Sequence, residues 1–137
     1  MGRDQCPRYV GLPSVFVESD EVLHEAVERE ALEELGVHVE ASHIVAVRST
    51  VEERSTNTYI VFAARHLGGT PTADQVEFSD ARWFTRDALD AAADVTRITN
   101  QIALAVLDRP AHGLHRRPYS RPGGEPTDLH ILGGVVG

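Results

Sequence analysis

Apolar residues fall at Val22, Leu23, Ala26, Val27, Ala31, Leu32 and Leu35. That spacing keeps them on one side of a 3.6-residue turn and predicts a helix over 21–35. Ser19 or Asp20 stands where a side chain can cap the first N–H groups, and Gly36 stands where a left-handed closing residue belongs. Ahead of the helix, "YVGLPSVFV" (9–17) reads as extended chain interrupted at Gly11 and Pro13. After it the period changes. "HIVAVRS" (43–49) and "NTYIVFAARHL" (57–67) are rich in β-branched and aromatic residues and predict strands. The polar "TVEERST" between them makes a loop, so the pair is expected to form an antiparallel hairpin. "LGGTPTADQ" is a turn region leading into "VEFSDARWF" (76–84), a third strand. Its Trp83 and Phe84 are expected in the core, because a half-buried strand turns alternate aromatics inward. "TRDALDAAA" opens on Thr85 as a cap and reads as a short helix. "TRITNQIALAVLD" (96–108) reads as a longer one, with Ile98, Ile102, Leu104, Ala105 and Val106 facing inward.

Beyond Asp108 no period is sustained. "RPAHGLHRRPYSRPGGEPTDLHILGGVVG" holds most of the prolines and many glycines, with a local basic cluster at Arg116 and Arg117. Composition of this kind predicts a flexible tail over 109–137 appended to a single domain over 1–108. A chain of 137 residues suffices for one domain with a core of its own. No apolar run approaches the ~18 residues that cross a bilayer, and "MGRDQCPRYV" has no secretory apolar stretch. A single cysteine, Cys6, excludes an internal disulfide framework and suits a reducing cytoplasm. Net charge is −8, with thirteen basic residues and not one lysine among them. That balance argues against nucleic-acid binding, which needs a basic footprint. It leaves open phosphate binding through a divalent cation.

The charge pattern changes the picture at residues 29–37, "REALEELGV". Glu30, Glu33 and Glu34 lie in the last turns of the predicted helix, where the helix end is itself partly negative and carboxylates are disfavoured. Each helical residue advances about 100°, so the three fall within an arc of about 100° and can converge. One account is an ordinary solvated acidic face. The other is a site for a hard cation such as Mg²⁺ or Mn²⁺, which takes carboxylate oxygens, keeps waters and completes its shell with substrate phosphate.

Read from Glu21, the chain runs Glu, seven residues, then Arg29-Glu30-Ala31-Leu32-Glu33-Glu34-Leu35-Gly36-Val37. This resembles the Nudix box, G-x5-E-x7-R-E-U-x-E-E-x-G-U with U aliphatic. "LPSVFVESDE" resembles the usual lead-in of that family and "EFSDARWF" resembles its frequent strand ending in Arg-Trp-Phe. The likeness spans roughly residues 9–107. It implies an α/β fold, an α/β/α sandwich around a mixed sheet, in which a loop-helix-loop holds divalent metal and cleaves a pyrophosphate bond in a nucleoside diphosphate derivative. By position, the resemblance makes Glu30, Glu33 and Glu34 metal ligands. Arg29 becomes the residue that orients them, and Glu21 an indirect supporter of the loop or of the metal's water shell. Glu33 or Glu34 becomes the acceptor of a water proton. Glu77 lies where some members carry another acidic ligand; a solvent-facing strand residue is the equal alternative.

Two departures from the pattern bear on function. The leading glycines are replaced by Ser14 and Val15, and a β-branched residue resists the left-handed backbone a glycine permits. About a dozen residues precede the lead-in, where the family commonly has strands. Against the family pattern the N-terminal part is abbreviated, which leaves three readings: a true start upstream of Met1, a degenerate relative, or a sheet completed by a second copy of the chain, the pairing that an open sheet edge predicts. The expected function is a Mg²⁺- or Mn²⁺-dependent hydrolase of a small nucleotide-type substrate (nucleotide, nucleotide sugar or dinucleotide), cytoplasmic, binding neither nucleic acid nor membrane. The alternative is a catalytically impaired Nudix-like module that binds nucleotide or serves assembly. The histidines at 112, 115 and 130 are irregularly spaced, "RPGG" lacks the Gly-Lys-Ser/Thr of a phosphate loop, and Cys6 has no evident base partner.

Overall fold

The computed structural model describes residues 19–72, 83–92, 94–117 and 119–133. Over these the element order is α1 (Leu23–Leu35), β1 (His38–Glu52), β2 (Ser55–Gly68), α2 (Arg86–Ala91), α3 (Arg97–Asp108), β3 (Gly113–Arg117) and β4 (Leu129–Gly133). The four strands form one sheet in the order β2-β1-β3-β4, and every described pairing is antiparallel. The α/β class inferred from the sequence holds. The resemblance implied a mixed sheet, whereas the sheet formed by the described residues is antiparallel throughout. The extended stretch at 9–17 and most of the third expected strand lie outside the described residues, as do Cys6, Ser14, Val15 and Glu77.

The expected helix is present and ends as anticipated. Gly36 takes a left-handed φ of 69°, its N–H reaching back to Leu32 O while that of Val37 reaches Ala31 O. These bonds and Thr72 N–H to Leu35 O occupy carbonyls the helix itself cannot pair. Its start differs from expectation. The boundary residue is Val22, and neither Ser19 nor Asp20 caps the helix.

The hairpin is longer than its apolar pattern. β1 and β2 pair from His38↔Gly68 out to Glu52↔Ser55, so most of the expected loop is strand. Only Glu53 and Arg54 turn the chain, with φ of 47° and 68°. Two consecutive left-handed residues make a tight turn whose twist matches the strands it joins.

The segment after Asp108 is corrected most. Instead of a tail it supplies two strands, β3 laid against β1 through His43↔His115 and Ile44↔Leu114, and β4 against β3 from Gly113↔Gly133 to Arg117↔Leu129. Gly113 makes the close approach possible: a Cβ there would stand 2.4 Å from Ile44 O. Registered residues share a face, so Ile44, Phe62, Leu114 and Leu132 line one side of the sheet while His43, Ala63, His115 and Ile131 line the other. The core of this unit is built from Ala26 of α1 with Val37, Ala41 and Ile44.

α2 and α3 belong to a second compact unit. Thr85 caps α2 as expected, accepting from Ala88 N–H, and Thr96 caps α3, accepting from Thr99 N–H. Leu89 is buried in α2. In α3 the buried residue is Thr99, whereas Ile98, expected inside, is exposed. Among the described residues no helix is long and apolar enough to cross a membrane.

Candidate active site

α1 carries the carboxylates of the candidate site, and Arg29 organises them. The guanidinium grips Glu21 with two bonds, Nε to Oε2 at 2.7 Å and Nη2 to Oε1 at 3.1 Å. Nη1 then reaches Glu30 Oε1 at 2.8 Å and Glu33 Oε2 at 2.9 Å. The planar fork suits this task, since its donors are fixed in directions that a lysine ammonium cannot reproduce. Glu21 precedes the helix, Glu30 is adjacent to Arg29 and Glu33 is one turn on, so a single side chain ties the entry segment to the carboxylate-bearing end. Glu21 and Glu30 are nearly out of solvent, 12% and 14% exposed, while Glu33 is 59% exposed. Glu34 is half-buried and its Oε2 is withdrawn from water.

The structure thus brings together five residues singled out in the sequence: Glu21, Arg29, Glu30, Glu33 and Glu34. The point on which three of the carboxylates meet is the Arg29 guanidinium. Among the described residues, no three acidic, histidine or cysteine side chains stand in ligand geometry around a common point. The donor set nonetheless fits a hard divalent cation. Three carboxylates share one guanidinium, so the cluster carries an excess of negative charge on oxygen donors even before Glu34 is added, at a helix end whose dipole adds more. Glu30, Glu33 and Glu34 are the residues that would hold such an ion.

The sequence reading missed a contribution from outside the helix. Asp128, just ahead of β4, sends Oδ2 to the backbone N–H of His24 at 2.9 Å and Oδ1 to His24 Nδ1 at 2.6 Å. This is the cap that α1 lacks locally. Beside it, burial lowers the basicity of His130 below the usual imidazole range; His24 and Arg116 act in the same direction and Asp128 against it. The ring of His130 meets the edge of Phe62. On the opposite face the buried His43 stacks on His115 at 4.5 Å between centroids. His115 and His130 therefore have packing roles, whereas His112 is exposed. Trp83, expected in the core, is 64% exposed and touches His66 edge-on.

The family model of the NUDIX domain matches residues 3–104. The chain belongs to the Nudix family. Among curated proteins it is similar to the NAD-capped RNA hydrolase NudC of Vibrio atlanticus (strain LGP32), 34% identical over 108 residues, which are 76% of this chain and 39% of that protein. It is also similar to the human 8-oxo-dGDP phosphatase NUDT18, 32% identical over 122 residues, 86% of this chain and 36% of that protein. The chain thus spans less than two fifths of the length of these Nudix relatives. The family match ends before β3, so the strand pair that caps the box helix lies beyond it.

Proposed function

We propose that the protein is a Mg²⁺- or Mn²⁺-dependent Nudix hydrolase that splits a pyrophosphate bond in a nucleoside diphosphate derivative. The observation that carries this reading is the Arg29 fork, which gathers Glu21, Glu30 and Glu33 on the helix of a NUDIX domain and leaves carboxylate charge in excess of its cation. When bound, a divalent cation supplies charge neutralisation at the phosphate oxygens. The chain's own part is to hold the carboxylates. Arg29 fixes the rotamers of Glu21 and Glu30, which limits the reorganisation the site undergoes on loading. A carboxylate oxygen of Glu33 or Glu34 takes the proton of the attacking water.

The names of the two relatives point to substrates built on nucleotides, so the test panel contains NAD and 8-oxo-dGDP together with nucleoside triphosphates, dinucleotides and nucleotide sugars. Purified protein should release product from at least one of these with Mg²⁺ or Mn²⁺ and none with EDTA. Glu34→Gln should abolish that activity and keep the circular dichroism spectrum of the parent. A panel without any product, at millimolar metal, would refute the reading.

Ser14 and Val15, in place of the leading glycines, favour a second reading: a module that binds nucleotide without cleaving it. Nucleotide binding that survives EDTA, with no turnover, would select it. The homodimer expected from the sequence is checked by light scattering at micromolar concentration, where a clean monomer overturns it.

A further inference from the structure

The box helix depends on a residue 104 positions away. The boundary residue Val22 has no side chain able to accept a hydrogen bond. The turn before it carries Asp20 at φ 66°, a conformation an aspartate tolerates but does not prefer. Asp128 supplies the missing acceptor. One carboxylate oxygen accepts the His24 N–H and the other pairs with His24 Nδ1, and the two side chains are 7% and 18% exposed. A carboxylate at this end also complements the helix dipole. Two grips therefore bracket the entry to α1. Asp128 holds His24 from outside, and Arg29 holds Glu21 from within. Because Arg29 Nη1 also carries Glu30 and Glu33, any shift of Glu21 reaches the carboxylates through one rigid guanidinium plane.

The geometry points to Asp128 as a positioning residue for the box: by clamping His24 it sets where Glu21 stands, and through Arg29 how Glu30 and Glu33 are presented. The strand pair β3–β4 is then a working part of the site. β4 is registered to β3, β3 is registered to the central strand β1, and Asp128 directly precedes β4. The consequence for metal rests on the proposed function; the clamp itself does not.

The test uses the full chain, with Mn²⁺ alone as the probe, read by electron paramagnetic resonance. Asp128→Ala should weaken Mn²⁺ binding by about tenfold, as loss of a residue that orients ligands typically does. Asp128→Asn keeps one acceptor for His24 N–H without the charge and should lose about threefold, a partial rescue. In both variants the Arg29 Nε–H resonance should move and its exchange with solvent should speed up. Leu132→Ser, an exposed change on β4, should move none of these readouts. The proposal is overturned if the Asp128 variants fold with Mn²⁺ affinity within twofold of the parent and the Arg29 resonance in place. If Asp128→Ala does not fold, Asp128→Asn decides by the same criteria. If the parent protein binds no Mn²⁺, the proposed function fails, and the Arg29 resonance still tells whether the clamp exists.

Discussion

Arg29→Ala is the perturbation whose effect the geometry constrains best. The side chain is 22% exposed and donates twice to Glu21, once to Glu30 and once to Glu33. The Glu33 contact is largely solvated and contributes a few tenths of a kcal/mol. The other bonds are charge-assisted and mostly withdrawn from water, a class in which each is worth about 1.5–3 kcal/mol. Their removal also strands Glu21 and Glu30 as neighbouring anions with little solvent. Removing one partner of a fully buried pair costs about 3–5 kcal/mol; partial exposure puts this case near the lower end, about 3 kcal/mol. With a urea slope of about 2 kcal/mol per molar, the midpoint falls by about 1.5 M. Arg29→Lys separates charge from shape: it keeps the cation but not the fork and should lose about half as much. Urea titrations of the three proteins in EDTA, followed by circular dichroism at 222 nm, measure both differences. A midpoint for Arg29→Ala within about 0.3 M of the parent would refute the assignment of Arg29 as the organiser of the cluster.

Three further outcomes are expected. His130 is held below its ordinary imidazole range mainly by burial, so the folded state resists its protonation more than the unfolded chain does. Stability should be independent of this group above about pH 6.5, fall as pH drops from there toward its folded value, and level off below that; urea midpoints from pH 5 to 8 should show the slope, and His130→Phe should flatten it. Thr96→Ala removes the acceptor for Thr99 N–H and should cost about 1 kcal/mol, seen as a lower thermal midpoint. Trp83→Ala should cost less than about 1 kcal/mol, where a core tryptophan would cost about 3–5, and the indole fluorescence of the parent should be that of a water-facing ring.

The box helix could be read from the chain because several local signals agree there: a helical period, a closing glycine and a chain of spaced charges. The hairpin was legible for the same reason, but its ends were not. Glu53 and Arg54 both adopt left-handed backbone without being glycine or asparagine, so the turn carries none of the usual chemistry and its flanks look like loop. β3 and β4 are five residues each, and "GLHRR" and "LHILG" have too few positions to establish a period. They are strands because β1 offers a partner, a tertiary cause that local composition does not contain. Trp83 was misjudged because its alternation pattern was counted as burial, while the structure turns the ring out beside His66. The five box positions were found by motif; Asp128 was invisible to it, since its partner is 104 residues away and an aspartate between a threonine and a leucine carries no signal.

The distance between His24 and Asp128 along the chain also orders events in time. A ribosome releases α1 before the residues of β4, so for that interval the box helix exists without its cap. A nascent chain can wind this helix, and Arg29 can find Glu21 locally, but the clamp closes only when β4 has reached β3. Closure of the clamp therefore waits on the synthesis of β4, and a chain cut short before Asp128 would carry every residue of the box without the contact that steadies it.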